Sequence, residues 1–120
     1  MSYDISLCDP VTHETLHLNR KHGFAGGTYV VGGTDELWLN VTYNYGSIFR
    51  RPDVLGEDGI RSIYGLTGAD SIPMLQNAIN HLENDLDDDY WKPTEGNARM
   101  ALVQLLMMAE FRPDGVWEGD

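Results

Sequence analysis

Histidine, cysteine and aspartate fall close together at Cys8, Asp9, His13, His17 and His22, the residue types that bind zinc through nitrogen, sulfur and oxygen. Ligands four apart converge on a helix, whereas this segment alternates like a strand hairpin, with His13 in a turn and His17 on a polar strand face. A second set, Asp85, Asp87 and Asp89, has the one-three-five spacing that opens a calcium loop. The sixth position is then Tyr90, where the loop needs glycine, and the twelfth is Gly96, where it needs a bidentate glutamate. Two glycine pairs, Gly26-Gly27 and Gly32-Gly33, suggest a phosphate cradle. They lack the lysine and hydroxyl residue of a P-loop and lead into a strand rather than a helix N-terminus. Gly65-Leu66-Thr67-Gly68 does precede a helix, with Asp70 placed to oppose an anion. No serine lies in a nucleophile elbow, and no serine–histidine–acid set stands out. The expectation is therefore no catalytic residue, no metal ion and no cofactor.

What remains is a stretch suited to contact. Asp85, Asp87, Asp88, Asp89, Tyr90 and Trp91 put aromatic side chains beside carboxylates in a loop, and Tyr and Trp give large contact area at small entropic cost. Trp91 either joins such a surface or plugs the underside of the last helix. Arg50-Arg51 forms a small basic spot, open to Asp53, to the acidic connector or to a partner. The alternative site is Thr94, Glu95, Gly96 and Asn97, where a helix N-terminus and the glycine-rich turns offer donors to a small molecule or nucleotide.

These residues need a scaffold, and hydrophobic period supplies it. Residues 3–8 alternate, with Tyr3, Ile5 and Leu7 on one face; Asp9-Pro10 opens a turn, and residues 14–18 alternate again, which predicts an N-terminal hairpin. Residues 28–31 read as a third strand or as the entry to the next element. Residues 37–45 make the clearest strand, with Leu37, Leu39, Val41, Tyr43 and Tyr45 facing one way. The second half reads as helical: a short helix near Ile48 and Phe49, one or two turns around Ile60, Ile63 and Tyr64, and a helix opened by Ser71-Ile72-Pro73. Thr94 is a suitable N-cap for a final helix over Glu95–Phe111, apolar around most of its circumference. Arg112-Pro113 ends it, and Trp117 is expected to fold back on the body. Residues 1–120 are thus read as one α+β domain, an N-terminal antiparallel sheet of three or four strands packed on two main C-terminal helices.

Bulk properties narrow the class of function. Nineteen acids against eight bases leave a net charge of −11. Residues 1–60 carry eight acids and four bases, and residues 61–120 carry eleven and four. Such a field repels phosphate backbones and anionic membranes, so neither nucleic acid nor membrane is the expected direct partner. The sole cysteine, Cys8, cannot form an internal disulfide and reads as a half-buried strand residue, which fits a reducing cytoplasm.

Three blocks carry a wider likeness: residues 3–10, residues 26–45, and residues 90–98 with 112–117, the last of them Arg-Pro-Asp-Gly-Val-Trp. On these the chain resembles a family of small uncharacterised proteins carried by bacteria and their phages or prophages. The resemblance implies a context, host takeover or counter-defence, and no residue-level activity. Together with the charge it sets the expectation of a non-catalytic acidic protein that contacts a host protein, for instance one with a basic nucleic-acid-binding groove. A small-molecule binder or enzyme is the alternative.

Overall fold

The computed structural model describes residues 1–24, 26–27 and 31–120, so the strand considered at 28–31 lies largely outside the described residues. The fold is α+β. Strand β1 (Ser2–Cys8) is the centre of a three-stranded antiparallel sheet, between β4 (Trp38–Thr42) and β5 (Val116–Gly119). A second, two-stranded sheet pairs β2 (His17–His22) with β3 (Thr34–Glu36). The helices are the single turn α1 (Gly46–Phe49), then α2 (Gly68–Asn80) and α3 (Glu95–Phe111), with 3-10 turns at Tyr43–Tyr45 and Gly59–Ile63.

Alternation in β1 and β4 does what period two demands. Tyr3 lies opposite Val41 and Ile5 opposite Leu39, and these side chains are buried on the face that meets the helices. Leu7 lies opposite Trp117 on the other side of β1, which brings the tail into the same face. Helices α2 and α3 pack on one another, their buried residues including Leu75, Ala78 and Ile79 on the first and Ala98, Leu102 and Leu105 on the second.

Four details differ from the sequence reading. The hairpin of residues 3–8 and 14–18 shrinks to a short ladder, with a Cys8–Thr15 bridge and bonds from Asp9 N to Glu14 O and Leu16 N to Leu7 O. Beyond Leu16, which is buried as expected, the chain turns away to pair with β3, and β1 takes β4 and β5 as neighbours. The strand expected over 37–45 stops at Thr42, whose side chain accepts the Asn44 N–H at 3.1 Å and caps a 3-10 turn. Tyr45 is still buried, but Tyr43 lies at the surface. Helix α2 starts at Gly68, because Thr67 caps it by accepting the Asp70 N–H at 3.0 Å; Pro73 is therefore inside the helix.

The fourth difference is the tail. It folds back as expected, and does so as strand β5, so the main sheet is not built from N-terminal strands alone. Trp117 is wholly buried, and its indole N–H donates to Ser71 Oγ at 2.8 Å, while that hydroxyl donates to Gly68 O at 2.8 Å. This relay ties the sheet to the first turn of α2. Ser71→Ala leaves a buried indole N–H without an acceptor and is expected to lower the unfolding free energy by about 1–3 kcal/mol. A lower urea midpoint at unchanged denaturant slope is the measurement that checks it.

Candidate functional site

The first turn of a helix presents N–H groups that have no partner within the helix. In α3 the chain supplies its own. Thr94 Oγ1 accepts the Asn97 N–H at 3.0 Å, confirming the N-cap, and Asp85 Oδ1 accepts the Gly96 N–H at 2.8 Å. Glu95 reaches outward: one carboxylate oxygen accepts the Glu83 N–H at 2.9 Å, and the other pairs with Arg51 at 3.0 Å. Arg51 also holds Asp53 at 3.1 Å, so this guanidinium is engaged internally. The donors proposed for a small anionic ligand at Gly96 and Asn97 are thus already bonded to the chain itself.

Asn97 is the hub of the arrangement. It is 6% exposed; its amide donates to Asp89 O and Lys92 O, both at 3.0 Å, and its oxygen accepts the Asp87 N–H at 3.0 Å. The connector therefore crosses directly over the start of α3. Gly96 permits the crossing, since a Cβ there would lie 2.4 Å from the Asp85 carbonyl carbon. The one-three-five aspartates are explained by the same geometry. Asp85 caps α3, Asp87 Oδ1 accepts the Asp89 N–H at 2.8 Å, and Asp89 Oδ1 accepts the Trp91 N–H at 3.1 Å. The latter two are local turns closed by short polar side chains.

Tyr90 joins the connector to the sheet. Its hydroxyl accepts the Thr42 N–H at 3.0 Å and donates to Asn40 O at 3.3 Å, while the Gly27 N–H bonds the same carbonyl at 2.9 Å. One phenol and one glycine thereby cover the outer edge of β4 at Asn40 and Thr42, where it would otherwise present free backbone groups for pairing. A Cβ on Gly26 would lie 1.7 Å from Asn40 O, so the first glycine pair serves this close approach. Tyr45, buried beneath, donates its hydroxyl to Tyr90 O. Trp91 packs edge-on against Tyr90, with centroids 5.0 Å apart, yet remains 49% exposed, as does Leu86 at 55%.

A cleft of about 280 Å³ opens between the connector, the loop at Gly23 and Gly26, and α3. Leu86, Asp87, Asp88 and Tyr90 line one side; Met100, Ala101 and Gln104 line the other, with Tyr45 and Asn97 also contributing. Of these, Asp87, Asp88 and Tyr90 belong to the candidate site read from the sequence, whereas Leu86, Met100 and Gln104 do not. The four-residue spacing of Met100 and Gln104 on a helix that also carries the cap was the available signal.

Elsewhere the candidate ligands stay apart. His13 bonds Glu118 at 3.0 Å, His17 bonds Asp35 at 2.8 Å, and His22 bonds Glu36 O. Among the described residues, no three His, Cys, Asp or Glu side chains gather as a metal site, and no helix is long and apolar enough to cross a membrane. Burial holds the Cys8 thiol above its usual range. No family model, curated protein or solved structure matches the chain.

Two expectations follow from the tie between connector and helix. Asn97→Ala strands the Asp87 N–H and two carbonyls; it should lower stability by about 2–4 kcal/mol, as expected for more than one lost buried partner. Faster hydrogen exchange at the Asp87 amide would localise the damage. The second concerns acid. The Glu83 N–H, then Arg51, hold the Glu95 carboxyl below its ordinary range; the Asp89 N–H, then Lys92, do the same for Asp87. A carboxyl lowered in the folded state adds stability above its unfolded value, near about pH 4, and loses that contribution as the pH falls through the folded value. The melting temperature should drop below about pH 5, and Glu95→Gln should flatten that drop.

Proposed function

We propose that this chain is a non-catalytic binding protein whose connector face, residues 85–91, docks against a basic surface of another protein. One observation carries the reading: Leu86 and Trp91 stand half exposed among carboxylates on a segment that hydrogen bonds hold in place. A contact surface that is already ordered loses little conformational freedom on binding, and exposed Trp beside charge is a frequent source of binding energy. The net charge of −11 adds long-range attraction toward basic partners.

The aspartates divide the work. Asp85, Asp87 and Asp89 accept backbone N–H groups within the connector and α3, and Asp87 also pairs with Lys92 at 3.2 Å. Asp88 has no hydrogen bond or ion pair among the described residues, which makes it the carboxylate best placed to meet a partner. No observation favours catalysis: each of the four histidines bonds a carboxylate or a backbone carbonyl, and none bonds a serine, threonine or cysteine hydroxyl or thiol among the described residues. The resemblance to phage-borne proteins supports seeking the partner among host proteins with basic nucleic-acid-binding grooves, in a counter-defence or takeover role.

The test begins with a partner isolated on immobilised protein and re-measured in purified form. Its affinity should fall by about tenfold or more between low and physiological salt, and comparably with Trp91→Ala or with Asp88→Lys, the latter at nearly unchanged melting temperature. A complex indifferent to salt and to both substitutions would overturn the reading.

A further inference from the structure

We propose that the cleft between the connector and α3 is an anchor pocket for one arginine side chain of the partner; this deepens the docking reading above and rests on it. Size sets the first limit. Its volume of about 280 Å³ lies just under the roughly 300–1,000 Å³ of pockets that take drug-sized ligands, so it suits one long side chain better than a nucleotide. Chemistry sets the second. Leu86, Met100 and Ala101 give an apolar flank for a methylene stem, and Tyr90 gives aromatic surface over the buried Tyr45.

Polar groups then select the head. Asn97 and Asp87 also line the cleft, but their hydrogen bonds are spent on the connector backbone and Lys92. Asp88 and the Gln104 amide make no hydrogen bond or ion pair among the described residues, and both line the cleft. A carboxylate and an amide oxygen in a cleft that an aromatic ring also lines accept N–H groups and favour a cation. An anion is repelled by Asp88, and a neutral apolar group leaves both acceptors unmet. Guanidinium fits this set better than ammonium, because it is planar, carries five donors and is more weakly hydrated, so it stacks on an aromatic ring at lower desolvation cost.

N-acetyl-L-arginine amide, titrated into the full chain and followed by amide NMR, provides the probe. Saturable shifts are expected at the Gln104 side-chain amide and the Gly23 and Gly26 backbone amides. Gln104→Leu and Asp88→Asn should each weaken binding by about fivefold, the size of one exposed hydrogen bond or ion-pair contact, while the amide spectra stay dispersed. The lysine analogue should bind more weakly, and the norleucine analogue should not saturate. Absence of saturation with arginine, an equal response to norleucine, or undiminished binding when Asp88→Asn and Gln104→Leu are combined would overturn the proposal. Hexalysine separates the two levels of the argument. If it binds residues 85–91 in a salt-dependent way while the arginine probe leaves Gln104 unmoved, the docking face stands and the anchor falls. If the arginine probe fills the cleft but hexalysine and hexaarginine bind no more tightly than their monomers, the pocket stands and the extended docking face falls.

Discussion

The meeting of the 81–94 connector with the first turn of α3 is the constraint on which the rest depends. A helix start needs acceptors, and a segment with four aspartates needs donors. Each meets the other's requirement in one place: Asp85 on Gly96 N, Glu95 on Glu83 N, and Asn97 across three backbone groups of the loop. Once fixed there, the connector carries Tyr90 to the open edge of β4, and that contact seats the Gly26–Gly27 turn beside it. The candidate surface, the edge protection and the cleft are consequences of a single docking event inside the chain.

This gives acidity more than one meaning. Some carboxylates complete the fold by accepting backbone N–H groups, and their charge is partly met by Arg51 and Lys92. Others, Asp88 foremost, serve no internal bond among the described residues and contribute to the field the molecule presents. Charge alone does not separate these classes; geometry does. The separation matters for any reading of function, since a carboxylate holding a helix end and a carboxylate offered to a partner respond to substitution in different ways.

Legibility in the sequence followed the range of the interactions. Helix α3 was readable to its bounds because Thr94 is a local cap and the apolar residues recur on a helical period. The inward faces of β1 and β4 were readable from alternation. Strand β5 was not: four residues are too few to show a period, and the partner strand lies more than a hundred positions earlier. The end of β4 at Thr42 was hidden for another reason, since alternation continues through Tyr43 and Tyr45 while the Thr42 hydroxyl turns the chain. In the candidate site, the acid–aromatic segment was visible by composition. The edge-closing role of Tyr90, the hub at Asn97 and the wall formed by Met100 and Gln104 depend on contacts between distant segments, and no local pattern encodes them.

The placement of β5 beside β1 also orders events during synthesis. The central strand is made more than a hundred residues before β5, one of its two flanking strands. Until residues 116–119 emerge, β1 has one unpaired side, and Ser71 lacks the indole that completes its relay. The nascent chain can assemble its helices early, because their contacts are local, but closure of the sheet waits for residues 116–119. An interval with an exposed strand edge is therefore built into its synthesis, and such an edge is the kind of surface that mispairs until its partner strand arrives.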